Sequence, residues 1–356
     1  MLRFRLLRYI RLLSGTLGGL FLAAAQAGHG LPVGEVQGPL SVMVLGSGGP
    51  MATPSGRASA GYLVFVDGRP RILMDAGGGT FQRIAASGAN LADLDIILLS
   101  HLHIDHVGDL TPIVKTIYFH ARRKNIARHI PFPPGRTRPI RIFGPGANGI
   151  LFPAGTGLPE VPQYPATHDF VGAHFDAATG TDRYLHVFTR AISGGLFKYE
   201  AKDLSPDWKH YAPQVILDEG GLVIRSVGVN HGPVPAVAFR IEYKGHAIVY
   251  SGDTSSRGDN MTMFARNADL LIYDTSITDT RPAATPNDRV FFGLHTTPTR
   301  MGMVAAAAHP RRLLLSHLTP ITEPRLGEVR HLIRQAGYRG EIEVAHDLEV
   351  CNTVED

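Results

Sequence analysis

Short apolar runs dominate the pattern of hydrophobic and polar positions in the first part of the chain. Most of them are bounded by Gly, Pro, Asp or Ser, which is the pattern of buried strands. One boundary, Asp67-Gly68, is a strong hairpin signal. Helices are predicted over Phe81 to Ser87 and over residues 110–129. The predicted strands are SVMVLGSGG, which runs into a glycine loop, AGYLVFVDG, RILMDAGGG, Leu94 to Ser100, and RPIRIFGPG.

The same alternation returns in the second part of the chain, after residue 215. Three consecutive strands are predicted, and further strands then alternate with an alanine-rich helix and an amphipathic helix that ends at Gly337. Two similar halves favour an α/β fold in which two sheets pack face to face with helices outside. The predicted strands are GLVIRSVGVNHG, AVAFRIEYKG, HAIVYSGDTS, ADLLIYDTS, RRLLLSHL and, closing the chain, EIEVAHDLEV.

Residues 145–215 lack clear periodicity, and a structureless loop of that length is unusual inside a compact core. We therefore predict an insertion or cap at about 145–215, with a short strand at YLHVFTRAI. Its aromatic residues either wall a pocket for an aromatic group or form the cap's own core. They are Tyr164, Phe170, Phe175, Tyr184, Phe188 and Phe197.

The first 27 residues account for the positive net charge of the whole chain. Residues 1–27 hold four arginines, an apolar stretch and Ala25-Gln26-Ala27, the layout of a secretory signal peptide. The alternative is a retained anchor, for which the apolar run is short. Without this segment the 35 Lys and Arg of the chain fall to 31, which equals its 31 Asp and Glu. The sequence thus predicts a periplasmic or secreted protein, a single domain over 28–356, no stable membrane insertion after cleavage, and no basic surplus for nucleic acid.

The stretch SHLHIDHVGD carries a dense set of residues that can bind metal, directly after a predicted buried strand. Further candidates also follow apolar strands, and a rigid strand with an open loop at its end suits a ligand site. Imidazoles and carboxylates without thiolates suit zinc, and less selectively manganese or iron. The lone Cys351 excludes an intramolecular disulfide and a cysteine-based metal site. The candidates are His101, His103, Asp105, His106, His231, Asp253 and His317.

HLHIDH matches the HxHxDH signature of the metallo-β-lactamase superfamily, and the resemblance extends over roughly residues 40–350. It implies a four-layered αββα sandwich with two metal ions, zinc by preference, and an Asp75 that holds the ligand loop by hydrogen bonds. Two such ions about 3.5–4 Å apart lower the pKa of a shared water, so that the hydroxide is the nucleophile. The implied ligand sets are His101, His103 and His231 for one ion, Asp105, His106 and His317 for the other, and Asp253 as the bridge.

The later segments resemble the branch that contains ribonuclease Z and its arylsulfatase-like relatives. By that resemblance His295 is the general acid, Thr297 contacts a substrate oxyanion, and Asp105 is catalytic as well as a ligand. The alternative for His295 is a helix cap or a surface position. Asp347 is expected to support a ligand histidine.

These features predict a metal-dependent hydrolase that cleaves a phosphodiester or an aryl sulfate ester of a small molecule. The alternatives are a tRNA 3′-end processing endoribonuclease, a lactonase of the same fold, and a protein that binds metal without turnover. The low content of Lys and Arg in residues 145–215 and the export signal favour the small ester over RNA. A homodimer is expected from the resemblance.

Overall fold

The computed structural model describes residues 30–128, 138–152, 155, 157–158, 160–176, 178–188, 198–280 and 285–354. The predicted signal peptide and Phe197 lie outside the described residues, as does the side chain of Phe188. The chain from Leu31 to Asp356 clusters into one compact unit. No helix in the described part of the chain combines the length and apolar character that a membrane span requires.

Two seven-stranded sheets form the centre of this unit. The first has the strand order β14-β1-β2-β3-β4-β5-β6, antiparallel from β14 to β3 and parallel from β3 to β6. Its strands are Leu40–Gly46 (β1), Gly61–Val66 (β2), Arg69–Met74 (β3), Ile96–Leu98 (β4), Ile140–Pro145 (β5), Tyr199–Leu204 (β6) and Val350–Asn352 (β14).

The second sheet has the order β13-β12-β11-β10-β9-β8-β7, antiparallel from β7 to β10 and parallel from β10 to β13. Two antiparallel steps separate β8 from β10, so these two strands run in the same direction. The strands are Gln214–Glu219 (β7), Leu222–His231 (β8), Val234–Tyr243 (β9), His246–Tyr250 (β10), Leu270–Asp274 (β11), Arg312–Ser316 (β12) and Glu341–Val344 (β13).

Helices cover the outer faces of both sheets, which gives the predicted αββα sandwich. Strand β1 shows why both faces are apolar: Val42 and Val44 belong to the core between the sheets, whereas Met43 and Leu45 belong to the core under the helices. A third cluster lies between the second sheet and its helices. The helices are Thr80–Ser87 (α1), Ile104–Val107 (α2), Leu110–Ala127 (α3), Thr167–His174 (α4), Asp182–Phe188 (α5), Asn260–Phe264 (α6), Pro286–Leu294 (α7), Pro298–Ala308 (α8) and Leu326–Gln335 (α9).

Two predicted strands are wrong. The segment YLHVFTRAI was expected to form a strand, but its described part belongs to helix α5, whose Leu185 is buried in the core of the first sheet. EIEVAHDLEV was expected to form a single strand, but it is divided between β13 of the second sheet and β14 of the first. The chain changes sheets at Leu348, which has a φ of 74° and donates its amide to the Val44 carbonyl.

The segment predicted as an insertion or cap contributes to the sandwich itself. Strand β6 pairs in parallel with β5 and extends the first sheet. Phe175, at the end of α4, is buried in the core under that sheet. Between β5 and α4 the described residues, 146–152, 155, 157–158 and 160–166, form no helix or strand and carry an isolated bridge between Leu151 and Pro162.

Candidate metal centre

The seven residues predicted as metal ligands come together in one group at the carboxyl ends of strands from both sheets. His101 and His103 follow β4, and Asp105 and His106 lie on the short helix α2. Strands that run in the same direction present their carboxyl ends along one edge of a sheet, where loops can carry functional groups. The remaining three residues are His231 at the end of β8, Asp253 just after β10, and His317 directly after β12.

Three imidazoles form one half of the group, which we call cluster A: His101, His103 and His231. The His101 ring centroid lies 4.5 Å from that of His103 and 4.8 Å from that of His231. Burial lowers the pKa of His101 well below its usual value and lowers the pKa of His231 to about 3. Neutral imidazoles keep the lone pair that a metal ion needs.

Two imidazoles and a carboxylate form the other half, cluster B: Asp105, His106 and His317. The Nε2 atoms of His106 and His317 lie 3.1 Å apart, and Asp105 Oδ2 is 3.2 Å from Nε2 of His317. Burial disfavours a charged His317, but Asp253 and the other nearby carboxylates outweigh it and raise its pKa to about 10. The pKa of His106 is also raised, by Asp253 and Asp105 against the effect of burial. So much negative charge in a buried site calls for a compensating cation.

Asp253 lies between the two clusters and turns one oxygen to each. Its Oδ2 is 3.9 Å from Nε2 of His101 and 3.9 Å from Nε2 of His231. Its Oδ1 is 3.4 Å from Nε2 of His106 and 3.3 Å from Nε2 of His317. A carboxylate that faces two ligand sets with its two oxygens has the arrangement needed to bridge two cations.

The hydrogen-bonding state of this group fits a divalent metal. Five buried side-chain polar atoms in the described residues have no hydrogen-bond partner, and three of them are His101 Nε2, His231 Nε2 and Asp253 Oδ1. Each such atom left unpaired costs about 1–3 kcal/mol. Coordination of a cation would satisfy all three, because lone pairs of this kind are metal ligands.

In four of these histidines Nδ1 already has a hydrogen-bond partner. His231 Nδ1 donates to the Leu294 carbonyl at 3.0 Å, and His106 Nδ1 donates to Asp75 at 2.7 Å. His101 Nδ1 and His317 Nδ1 lie 3.2 Å and 2.7 Å from the hydroxyls of Ser100 and Ser276, which both donate their own proton to an aspartate. In all four rings Nε2 is therefore the nitrogen that is left for a metal.

The predicted role of Asp75 is confirmed. Its carboxylate accepts hydrogen bonds from the amide and hydroxyl of Ser100, from His106 and from the hydroxyl of Tyr250, each at 2.7 Å. The residue is fully buried. It thus fixes the beginning of the ligand loop and one ring of cluster B together.

His295 is buried beside the two clusters, which is not the surface position given as its alternative. Its Nδ1 lies 2.7 Å from Asp274 Oδ2, so Nε2 remains as the nitrogen that can transfer a proton. The cap of the following helix α8 is Thr297, whose hydroxyl oxygen accepts from the amide of Arg300. That role leaves the Thr297 proton available, and its contact with a substrate oxyanion stays a prediction.

Asp274 was missed at the level of sequence, although a signal for it was present. It is the last residue of β11 and therefore sits at the same kind of strand end as the predicted ligands. It accepts from His295 and from the hydroxyl of Ser276, and its Oδ1 is 3.4 Å from His317 Nδ1. One buried carboxylate thereby connects the expected acid with cluster B.

The expectation for Asp347 is wrong. Its carboxylate accepts from the amide and hydroxyl of Ser47, from the amide of Ala58 and from Arg83. None of these partners is a predicted ligand histidine. Because the chain changes sheets between β13 and β14, Asp347 lies beside the glycine loop that follows β1 instead.

Of the six aromatic residues in the predicted cap, the described ones divide between core, surface and site. Phe175 is buried in the core under the first sheet, and Phe170 packs against the same core. Tyr184 is 55% exposed and lies under the ammonium of Lys115. Tyr164 reaches cluster A, with its hydroxyl 3.4 Å from His103 Nε2.

Comparison with known proteins agrees with this arrangement. The sequence profile of the metallo-beta-lactamase superfamily matches residues 55–293. The chain belongs to this superfamily. Members are metal-dependent hydrolases, so the superfamily implies that the His and Asp clusters bind a divalent metal.

Relatives and solved structures of superfamily members cover most of the chain. Ribonuclease Z from Mycobacterium bovis is 28% identical over 315 residues, which are 87% of this chain and 96% of the relative. The crystal structure of human tRNase Z, short form, has a TM-score of 0.60 at 21% identity and covers 88% of this chain and 100% of its own. The metallo-beta-lactamase fold protein YhfI from Bacillus subtilis has a TM-score of 0.58 at 21% identity, covering 88% and 99%.

Proposed function

We propose that this protein is a metal-dependent phosphodiesterase of the ribonuclease Z type that cleaves a phosphodiester bond in RNA. The observation that carries the proposal is the buried pair of His295 and Asp274 beside clusters A and B. The relatives over 87% of the chain are named ribonuclease Z, which supports the RNA alternative over the small ester favoured by the sequence. The aryl sulfate ester has no comparable support.

The ligand assignment is part of the proposal. Cluster A would hold one divalent cation, which we take to be zinc, cluster B would hold the second, and Asp253 would be shared between them. Bound cations would supply Lewis acidity at the phosphodiester and lower the pKa of the attacking water. Asp105, in cluster B, would act both as a ligand and as a catalytic carboxylate.

His295 would supply the proton that the leaving oxygen needs. A ribose alkoxide is a poor leaving group, so its departure benefits from a general acid at a fixed position. Asp274 holds Nδ1 of His295 and so directs the proton of Nε2 to the substrate. Thr297, two residues further on, would donate its hydroxyl proton to a phosphoryl oxygen.

The test compares two substrates with different leaving groups. With zinc or manganese bound, the wild-type protein should cleave both an RNA with a 3′ extension and bis-p-nitrophenyl phosphate. His295→Ala should lower cleavage of the RNA by about 10²–10⁴-fold, because general acid catalysis contributes that much. The nitrophenolate leaves without a proton, so the activated ester should lose much less.

The matched control is His331→Ala, on the exposed side of α9, which should change neither reaction. Equal RNA cleavage by His295→Ala would contradict the acid role. Two bound metals without turnover of either substrate would favour a metal-binding protein. Faster turnover of p-nitrophenyl sulfate or of a lactone would favour the other hydrolase classes.

Export remains part of the proposal. If residues 1–27 direct secretion, the enzyme meets RNA outside the cytoplasm, and its natural substrate need not be a tRNA precursor. Fractionation of cells that express the full chain tests this, since retention in the cytoplasm would contradict it. The homodimer likewise stays a prediction.

A further inference from the structure

A buried chain of hydroxyl groups holds the loop between α7 and α8 that carries His295. Thr296, the next residue, is fully buried, and its hydroxyl lies 2.5 Å from the Thr254 carbonyl and 2.6 Å from the Ser256 hydroxyl. The Ser256 hydroxyl lies 2.5 Å from that of Tyr273 on β11. Hydrogen bonds thus join this loop to two segments that are distant from it in sequence.

The direction of these bonds follows from the number of protons available. A carbonyl can only accept, so the single proton of the Thr296 hydroxyl goes to Thr254. Thr296 must then accept from Ser256, and Ser256 must accept from Tyr273. Burial raises the pKa of Tyr273 to about 12, which keeps its phenol protonated as the first donor. Every proton in this chain therefore has an acceptor, and the last one is a backbone carbonyl.

Thr254, which directly follows Asp253, also binds the partner of the His295 ring. Its amide lies 3.3 Å from Asp274 Oδ2, the same oxygen that accepts from His295 Nδ1 at 2.7 Å. Its carbonyl accepts from Thr296. A single residue beside Asp253 thus holds both the carboxylate behind the His295 ring and the residue that follows His295 in the chain.

Ser256 has a backbone conformation that its surroundings must maintain. Its φ is 51°, in the left-handed region that residues other than glycine rarely adopt. Its amide donates to the Thr254 hydroxyl at 3.0 Å, and its carbonyl accepts from Arg300 of α8 at 3.2 Å. Such conformations persist where surrounding contacts fix them, and they are frequent at functional sites. The segment after Asp253 is therefore a fixed support for the loop.

We propose that Thr296 is a positioning residue, whose hydroxyl holds the loop that carries His295 against the segment after Asp253. The inference rests on the proposed function, in which His295 Nε2 gives a proton to the leaving oxygen. A misplacement of about 1 Å in a reacting group can lower a rate by about 10²-fold. Without the Thr296 hydroxyl the loop is held by fewer bonds, so the His295 ring should leave Asp274 more often.

Thr296→Val keeps nearly the same shape and removes the hydroxyl, while the α8 cap of Thr297 is unchanged. RNA cleavage should fall by about 10²-fold, whereas bis-p-nitrophenyl phosphate, whose leaving group needs no proton, should lose much less. Thr296→Ser should restore RNA cleavage. The matched control is Thr353→Val, which removes an equally buried hydroxyl that donates to the Leu40 carbonyl at the start of β1. It should cleave both substrates at the wild-type rate.

A second measurement does not depend on turnover. The Nδ1 proton of His295, held by buried Asp274, should give a low-field proton resonance in the NMR spectrum that is absent from His295→Ala. In Thr296→Val this proton should exchange faster with water, and Thr296→Ser should return it to the wild-type rate. If Thr296→Val does not fold, Ser256→Ala takes its place, since it removes the donor to Thr296 and should shift both readouts in the same direction.

Three results would overturn the inference: wild-type RNA cleavage and proton exchange in Thr296→Val, an equal loss on both substrates, or no recovery in Thr296→Ser. The last two would assign the hydroxyl a structural role only. If the wild type cleaves no RNA, or His295→Ala cleaves it normally, the proposed function fails. Exchange of the His295 proton then decides by itself whether Thr296 positions this ring.

Discussion

Clusters A and B hold their histidines in different ways. In cluster A, His231 rests on the Leu294 carbonyl, and His101 rests on the Ser100 hydroxyl, which itself donates to Asp75. In cluster B, a carboxylate lies close to both rings: His106 Nδ1 is 2.7 Å from Asp75, and His317 Nδ1, which also contacts Ser276, is 3.4 Å from Asp274.

The electrostatics of the two clusters follow from this difference. Burial outweighs the nearby carboxylates and lowers the pKa of both His101 and His231, whereas nearby carboxylates outweigh burial and raise the pKa of His106 and His317. A carboxylate behind an imidazole makes it a stronger metal ligand. We infer that metal affinity at cluster B depends more strongly on the carboxylates behind its rings, whereas cluster A meets such a carboxylate only indirectly, through Ser100.

Removal of the Asp253 carboxylate, which faces both clusters, should affect the two clusters alike. It should also have the largest effect of the three substitutions. We expect Asp253→Ala to lose metal from both and to reduce turnover below detection, because each cluster loses one oxygen. Metal per chain, measured by elemental analysis, checks this. The exposed Asp259→Ala is the control, and a variant that kept both metals would show that Asp253 is not shared.

A substitution of Asp75, which lies behind the His106 ring, should change the metal affinity of the two clusters by different amounts. In Asp75→Asn the amide nitrogen can no longer accept from His106, so metal affinity at cluster B should fall by about 10–100-fold. Cluster A, which meets Asp75 only through Ser100, should lose less. Competition with a chelator should then release metal in two separate steps. The exposed Asp67→Asn serves as control. Equal loosening of both metals would contradict the asymmetry.

The smallest effect on either cluster is expected at Asp347. Asp347→Asn should lower the free energy of unfolding of the metal-free protein by about 1–3 kcal/mol, because one carboxylate oxygen loses its donors. Both metals should stay, since backbone bonds between the glycine loop and Leu318 remain. Urea unfolding and metal content check this pair of outcomes. Metal lost from cluster B would restore the original expectation for Asp347.

Most elements of the sandwich could be predicted because their apolar residues alternate locally with polar ones or form short buried runs. Strand β6 could not, since it lies at the edge of the sheet and half of its residues are exposed, so that backbone pairing with β5 rather than an apolar pattern defines it. Helix α5 was mistaken for a strand because a short segment with scattered aromatics suits either element.

The site shows the same division. The motif and the strand ends pointed to seven residues that the structure brings together, yet Asp274 was passed over at an equivalent strand end. Asp347 was given the wrong partner because the change of sheet at Leu348 has no local signature that we recognised. The contact of Tyr164 with His103 joins a segment without periodicity to the HLHIDH motif, and neither segment has a sequence pattern that predicts this contact.

Strand periodicity and the HLHIDH motif are local properties, so the primary structure alone was enough to predict the sandwich, the superfamily and the residue types of the metal centre. Which side chains meet was decided by folding, because partners such as His317 and Asp105 are 212 residues apart and approach only when both sheets are assembled. The difference in carboxylate support between the two clusters belongs to that second level, since it depends on what lies behind each ring.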